Sequence, residues 1–240
     1  MLLLSSAAVD VRSALAGLDD GNRASLTGTL TASTSTGRRG VYYLPRNPEG
    51  RALPVLVMLH GTGGTGSGVL ARLRPVAETE KFIAVAPDSV SVAGVWLVEP
   101  GARGATEDHR HVVSCLREVR ALPGVRIDGS QVLIAGFSVG GGAASYIASH
   151  EDPFTAFAVL HGHVVLDGLG PHRARGWLST GDRDSRRTAE AMKRLADQLT
   201  HREGFGEVEM RVFPGGHELG EDELAAMVAW WLRRPVRGGR

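Results

Sequence analysis

The chain has 240 residues, the size of one α/β domain and too short for two large ones. Its 27 lysines and arginines against 26 aspartates and glutamates leave a formal charge of +1, without the concentrated positive field that a nucleic-acid or anionic-membrane partner requires. Apolar residues make up 42%, enough for a core, while glycine is in excess at 32 residues, about 13% against a usual ~7%.

Cys115 is the single cysteine, so no internal disulfide is expected. The apolar start Met1 to Leu4 lacks a basic n-region and is too short for the hydrophobic part of a secretion signal. No stretch approaches the ~18 to 20 apolar residues of a membrane span. A single cytoplasmic domain over residues 1–240 is expected, with no membrane or nucleic-acid partner and residues 1–24 as a peripheral N-terminal segment.

Taken in chain order, residues 9–18 suit one short helix, followed by a turn at Asp19-Asp20-Gly21. From Ser25 to Leu44 a Thr-rich alternating pattern, broken between Gly37 and Gly40, predicts an antiparallel hairpin ending in the strand Gly40 to Leu44. Continuous apolar runs follow at Pro54 to Leu59, Phe82 to Ala86, Val132 to Ala135, Ala156 to Leu160, Gly176 to Ser179 and Val208 to Phe213. Such runs suit strands buried on both faces. Between them lie helical patterns near Ser67 to Glu80, Thr106 to Leu122, Ser138 to His150, Ser185 to Arg202 and Glu221 to Arg233. Strands alternating with helices predict a mostly parallel sheet covered on both faces, an α/β fold.

Ligands in such sheets bind beyond the carboxyl ends of the strands, so the residues just after each run carry the chemistry. Gly136-Phe137-Ser138-Val139-Gly140 follows a buried strand and opens a helix, the context of a nucleophile elbow. Side chains two residues before and after the serine would collide in that turn, which explains Gly136 and Gly140. A serine needs a positioned base. Of nine histidines, His217 alone sits in a loop after the last strand, on Pro214-Gly215-Gly216. For the acid, Asp182 and Asp184 both follow the preceding strand and spacing does not separate them; the one left over is expected to cap the helix starting near Ser185.

In a hydrolase reading, the backbone N–H groups of Thr62 and Val139 are expected to form the oxyanion hole. Trp96, the only large aromatic of the long loop from Asp88 to Glu107, either lines the substrate pocket or packs beneath that loop. His161 is read as lining the rim of the site. His109 and His111 stand two apart on a predicted helix and face different ways, which makes them a weak metal pair; the hydrolase chemistry read from Ser138 and His217 needs no metal and no cofactor. The short connection from His161 to Arg175 leaves little room for a lid, and Trp230 and Trp231 read as core or as contacts of a homodimer.

A rival reading comes from Gly61-Thr62-Gly63-Gly64-Thr65-Gly66, which contains G-x-G-x-x-G after a strand, with Asp88 at the end of the next. That pattern fits an NAD(P)-dependent oxidoreductase. It accounts for residues 55–88 but leaves Ser138, Asp184 and His217 as coincidences, whereas a hydrolase uses the same loop for its oxyanion. A non-catalytic binding protein of the same fold is the other alternative.

His60-Gly61-Thr62-Gly63-Gly64, Pro87-Asp88, Gly136 to Gly141, Gly181 to Asp184 and Gly215-Gly216-His217 together resemble the α/β-hydrolase superfamily. Within it they resemble the phospholipase/carboxylesterase branch and its polyhydroxybutyrate-depolymerase-like relatives, over about residues 40–234. The resemblance implies a triad of Ser138, His217 and Asp184, because the acid in that branch falls three residues after a glycine. It also implies a serine carboxylesterase. Relatives that act on polymers carry secretion signals and often disulfides, which this sequence does not show. The expected substrates are therefore small soluble esters of short to medium acyl chain.

Overall fold

A computed structural model describes residues 25–47, 49–98, 106–150, 153–165, 174–201 and 207–233. The helix expected over residues 9–18 lies outside them. Among the described residues, eight strands form one sheet: β1 (Leu26–Thr29), β2 (Gly40–Leu44), β3 (Leu53–Leu59), β4 (Ile83–Pro87), β5 (Ile127–Phe137), β6 (Ala156–Leu160), β7 (Arg175–Gly181) and β8 (Val208–Phe213). Their spatial order is β1-β2-β4-β3-β5-β6-β7-β8. β1 and β2 pair antiparallel, as does β2 with β4, and every later pairing is parallel. This is the sheet of an α/β-hydrolase, with the N-terminal hairpin the sequence predicted.

Among the described residues, five helices cover it: α1 (Gly66–Glu80), α2 (Glu107–Arg120), α3 (Val139–His150), α4 (Ala189–Thr200) and α5 (Glu221–Leu232). Local chemistry sets their starts. Thr65 Oγ1 accepts from Gly68 N–H at 3.1 Å and Thr106 Oγ1 from His109 N–H at 3.2 Å, each satisfying an N–H that the first turn leaves without a partner. In α2, Glu107 and Asp108 stand in the first turn and Arg117 and Arg120 in the last, aligned with the helix dipole.

Two strands and one helix differ from the sequence expectation. β5 begins at Ile127, five residues before its apolar run, because Leu53 pairs with Ile127 before the register shifts to Val55 and Val132. β7 extends to Gly181. α4 begins at Ala189, capped by Thr188 Oγ1 on Ala191 N–H at 3.3 Å, so the segment from Ser185 to Arg187 is loop and not the first turn of a helix.

Alternating side chains of the strands feed two apolar layers. Val55, Val57 and Leu59 join Val112, Leu116, Ala144, Ile147 and Leu199 beneath α2, α3 and α4. Leu56 and Met58 join Leu70, Leu73, Met227, Val228 and Trp230 beneath α1 and α5. Trp230 and Trp231 are both core residues, with Trp230 5.6 Å from the Trp177 ring. No helix among the described residues is long and apolar enough to cross a membrane.

Trp177 is fully buried on β7, the strand that leads to Asp184. Trp177→Ala is expected to cost about 3–5 kcal/mol of stability. Urea unfolding followed by circular dichroism measures it.

Candidate active site

Ser138 stands between β5 and α3 with φ 55, a left-handed conformation disfavoured for any residue with a Cβ. Its N–H donates to Leu160 O at 2.8 Å and its carbonyl accepts from Gly141 N–H at 3.0 Å, which clamps the turn from both sides. A Cβ on Gly136 would come within 2.0 Å of Gly140 O, and one on Gly140 within 2.6 Å of His60 O. Glycine at these two positions is therefore what lets the turn close and α3 approach β3.

The other members of the site arrive from two neighbouring strand ends. Ser138 Oγ lies 3.0 Å from His217 Nε2, and His217 Nδ1 donates to Asp184 Oδ2 at 2.8 Å. Of the two aspartates, Asp184 is the one that His217 contacts. Asp182 neither faces His217 nor caps a helix: its Oδ1 accepts from Gly215 N–H at 2.9 Å, and its own N–H donates to Phe213 O at 2.8 Å. With Arg183 N–H on Gly215 O at 2.8 Å, these bonds tie the loop of the acid to the loop of the base.

Asp184 is buried and its acceptor capacity is well used. Oδ1 takes the N–H groups of Arg186 at 2.8 Å and Arg187 at 3.0 Å; Oδ2 takes His217 and, at 2.7 Å, His161 Nδ1, while the nearby Thr180 hydroxyl donates to Arg187 O at 2.5 Å. Burial alone would raise its pKa. The bonds from His161, His217 and the two backbone N–H groups outweigh burial and hold the carboxyl far below the usual aspartate range.

Thr62 lines a cavity of about 400 Å³ together with Val69, Arg72, Phe137, His217 and Leu219. Val139 is the first residue of α3, so its N–H has no acceptor within the helix and stands beside Ser138. The loop carrying Thr62 is braced from behind by His60. The imidazole of His60 donates from Nδ1 to Gly61 O at 2.8 Å, leaving Nε2 to accept from Ser89 N–H at 3.1 Å. Burial pushes its pKa down, against the opposing effects of the Gly61 carbonyl and Asp88, so it stays neutral in this role.

Trp96 completes the brace and is not among the residues lining the cavity. It is 4% exposed, its indole N–H donates to His60 O at 2.8 Å, and its ring lies 4.9 Å from the His60 ring. Of the two readings of Trp96, the structure shows packing beneath the loop. His161 likewise lies under the site and not on its rim, 2% exposed between Asp184 and Glu223. Sequence reasoning missed Glu223, the last of three consecutive acidic residues at the start of α5, whose Oε2 also accepts from Gly220 N–H at 3.4 Å in a capping box.

Asp88, which a dinucleotide site would use on a ribose, is engaged inside the protein. Its Oδ1 accepts from Gly66 N–H at 2.6 Å and pairs with Arg38 at 3.7 Å. Among the described residues, His161, Asp184 and His217 form the one cluster with metal-ligand spacing, and their hydrogen bonds to one another account for it.

A carboxyl with a depressed folded-state pKa adds stability above its unfolded value, about 3.9, and loses that contribution as pH falls through the folded value. Asp184→Asn is therefore expected to cost about 3–5 kcal/mol at pH 7, with the gap to wild type closing in acid below about pH 4. Chemical denaturation of both proteins between pH 7 and pH 2 tests the sign and the window.

Comparison with known proteins agrees with this architecture. No curated protein matches the chain in sequence. Among solved structures, the fluorophosphonate-binding serine hydrolase FphF of Staphylococcus aureus is similar at a TM-score of 0.68 and 13% identity, covering 88% of this chain and 99% of that one. A carboxylesterase of Mesorhizobium loti gives 0.62 at 20% identity, covering 87% and 99%. That of Bacillus cereus gives 0.61 at 19%, covering 82% and 94%. At these identities the likeness establishes the α/β-hydrolase fold. The family itself follows from the sequence: residues 40–208 match the model of the PHB depolymerase esterases, so the chain belongs to the esterase PHB depolymerase family.

Proposed function

We propose that this serine esterase is a carboxylesterase that hydrolyses small soluble esters of short to medium acyl chain by way of an acyl-enzyme on Ser138. One observation carries the reading: Ser138 Oγ, His217 and Asp184 Oδ2 form an unbroken hydrogen-bonded line of 3.0 and 2.8 Å.

His217 Nε2 takes the hydroxyl proton as Ser138 Oγ attacks the ester carbonyl carbon. The carbonyl oxygen becomes an oxyanion facing the N–H groups of Thr62 and Val139, at the positive end of α3. As the tetrahedral intermediate collapses, the bond to the alcohol oxygen breaks and His217 returns the proton to that oxygen. Water then enters, gives its proton to His217 and attacks the acyl carbon; collapse releases the acid and regenerates the Ser138 hydroxyl. Asp184 holds His217 in the tautomer that leaves Nε2 free and stabilises the imidazolium between the proton transfers. The residues supply base, acid and oxyanion donors, so this scheme calls on no cofactor.

The cavity beside His217 supports the proposed substrate class. At about 400 Å³ it is near the lower end of small-molecule sites, and Val69, Phe137 and Leu219 give it apolar walls. A short or medium acyl chain fits that volume.

Treatment with a fluorophosphonate is expected to leave an adduct on Ser138, located by mass spectrometry. Ser138→Ala and His217→Ala are each expected to lower kcat on p-nitrophenyl esters by about 10⁴–10⁶-fold. Across a series of acyl lengths, kcat/KM should pass its maximum at short to medium chains and fall for long ones. No adduct on Ser138 together with no ester turnover would sink the reading.

A further inference from the structure

His161 is the first residue after β6. It is 2% exposed, and its backbone takes φ 53, a conformation that a non-glycine residue holds only where its surroundings enforce it. Its N–H donates to Ser179 O on β7 at 2.8 Å. The ring lies between two buried carboxyl groups: Nδ1 is 2.7 Å from Asp184 Oδ2, and Nε2 is 3.2 Å from Glu223 Oε2. The two side chains are 0% and 1% exposed. The Phe137 and His217 rings, each 5.6 Å away, pack beside it.

Ionised carboxylates only accept hydrogen bonds, so a ring that satisfies one at each nitrogen must carry a proton on both. Two carboxylates in a dry site repel each other, and a cation between them turns three buried charges into a net single one. Asp184 Oδ2 thus receives two imidazoles at once, His217 from the solvent side and His161 from beneath.

We propose that His161 is a positioning residue of this site: a buried imidazolium bridging Asp184 and Glu223. It fixes the orientation of Asp184 and takes a share of its charge. The hydrogen-bonded line then runs from Ser138 through His217, Asp184 and His161 to Glu223 on α5. This inference rests on the esterase reading for its effect on catalysis, but not for the protonation of His161 itself.

The electrostatics agree in sign. Burial works against a charged ring, but the bonds and charges of Glu223 and Asp184 prevail and raise the His161 pKa above the ordinary histidine value. A raised folded-state value means the stabilisation is complete below about pH 6.5 and is lost as pH rises through the folded one. The titratable groups facing the ring are Asp184 from the loop after β7, Glu223 from α5 and His217 from the loop after β8. His163, on the same segment as His161, is pushed the opposite way, by burial and by the charge of Arg187. The two histidines are therefore distinguishable by titration.

A cation beside Asp184 also competes with His217 for the carboxylate's charge. Removing it leaves that charge to His217 alone, which favours the protonated base and moves the acid limb of reactivity upward.

Nitrogen-15 NMR of the histidine-labelled protein, with His161 assigned through His161→Gln, reads the protonation directly. Both ring nitrogens of His161 should stay protonated through neutral pH and past the ordinary histidine range. In Glu223→Gln that titration should move to lower pH. A neutral His161 ring at pH 7, or a titration indifferent to Glu223→Gln, overturns the proposal. The pH dependence of Ser138 labelling by a fluorophosphonate supplies the second arm. In His161→Gln, which keeps an N–H donor for Asp184, the acid limb is expected to rise by about half to one pH unit. An unmoved limb overturns the proposal even if labelling slows, since a merely structural role would change the rate and not the profile. Failure of the wild-type protein to label at Ser138 would instead defeat the esterase reading, and the NMR arm would still decide the state of His161.

Discussion

The structure depends on holding one hydroxyl at the end of a buried central strand, in a backbone conformation that L-residues avoid. Ser138 at φ 55 gains nothing locally from that posture. It is held by β6 through Leu160 O and by the close approach of α3 to β3 across Gly140. The apolar layers on both faces of the sheet supply the rigidity, because neither the strands nor the helix can shift without opening the core. Much of the glycine excess in the sequence serves this end. The side chains are missing where backbone must pass backbone.

A second demand is electrostatic. The line of hydrogen bonds from the serine leads inward, to an aspartate with almost no exposure, and a buried carboxylate must be compensated on every side. Here the compensation comes from two backbone N–H groups and two imidazoles. The same economy recurs behind the oxyanion loop. There His60 spends both ring nitrogens on the backbone and Trp96 spends its indole on the carbonyl of His60. These polar groups direct their hydrogen bonds to neighbouring backbone and side chains.

Legibility in the sequence follows from this division. The elbow was readable because its constraints are local, with the glycines, the serine and the flanking strand and helix all within a few residues. His217 was readable from its place after the last strand. Asp184 and Asp182 were not separable by spacing, because both lie in one turn and only contacts with the neighbouring loop distinguish them. Glu223 was invisible, since an acidic first helical turn has a sufficient explanation in the helix dipole alone. Trp96 and His161 were read as residues beyond strand ends, but whether a side chain faces the cavity or the interior is a property of packing and not of periodicity. The start of α4 was misplaced for a related reason: the turn Ser185 to Arg187 keeps its N–H groups for Asp184, and the helix waits for Thr188.

The loops of Asp182 and Gly215 follow β7 and β8, and among the described residues β8 is the last strand of the sheet, paired along one side only. Ser138 thus stands at the middle of the sheet and His217 at its margin. For the proposed reaction this asymmetry has a use. Ser138 keeps one address throughout, whereas the imidazole must pass a proton from the serine oxygen to a departing alcohol and then collect another from water. In that reaction the group that handles every proton is carried at the edge of the sheet, and the group that stays put is built into its centre.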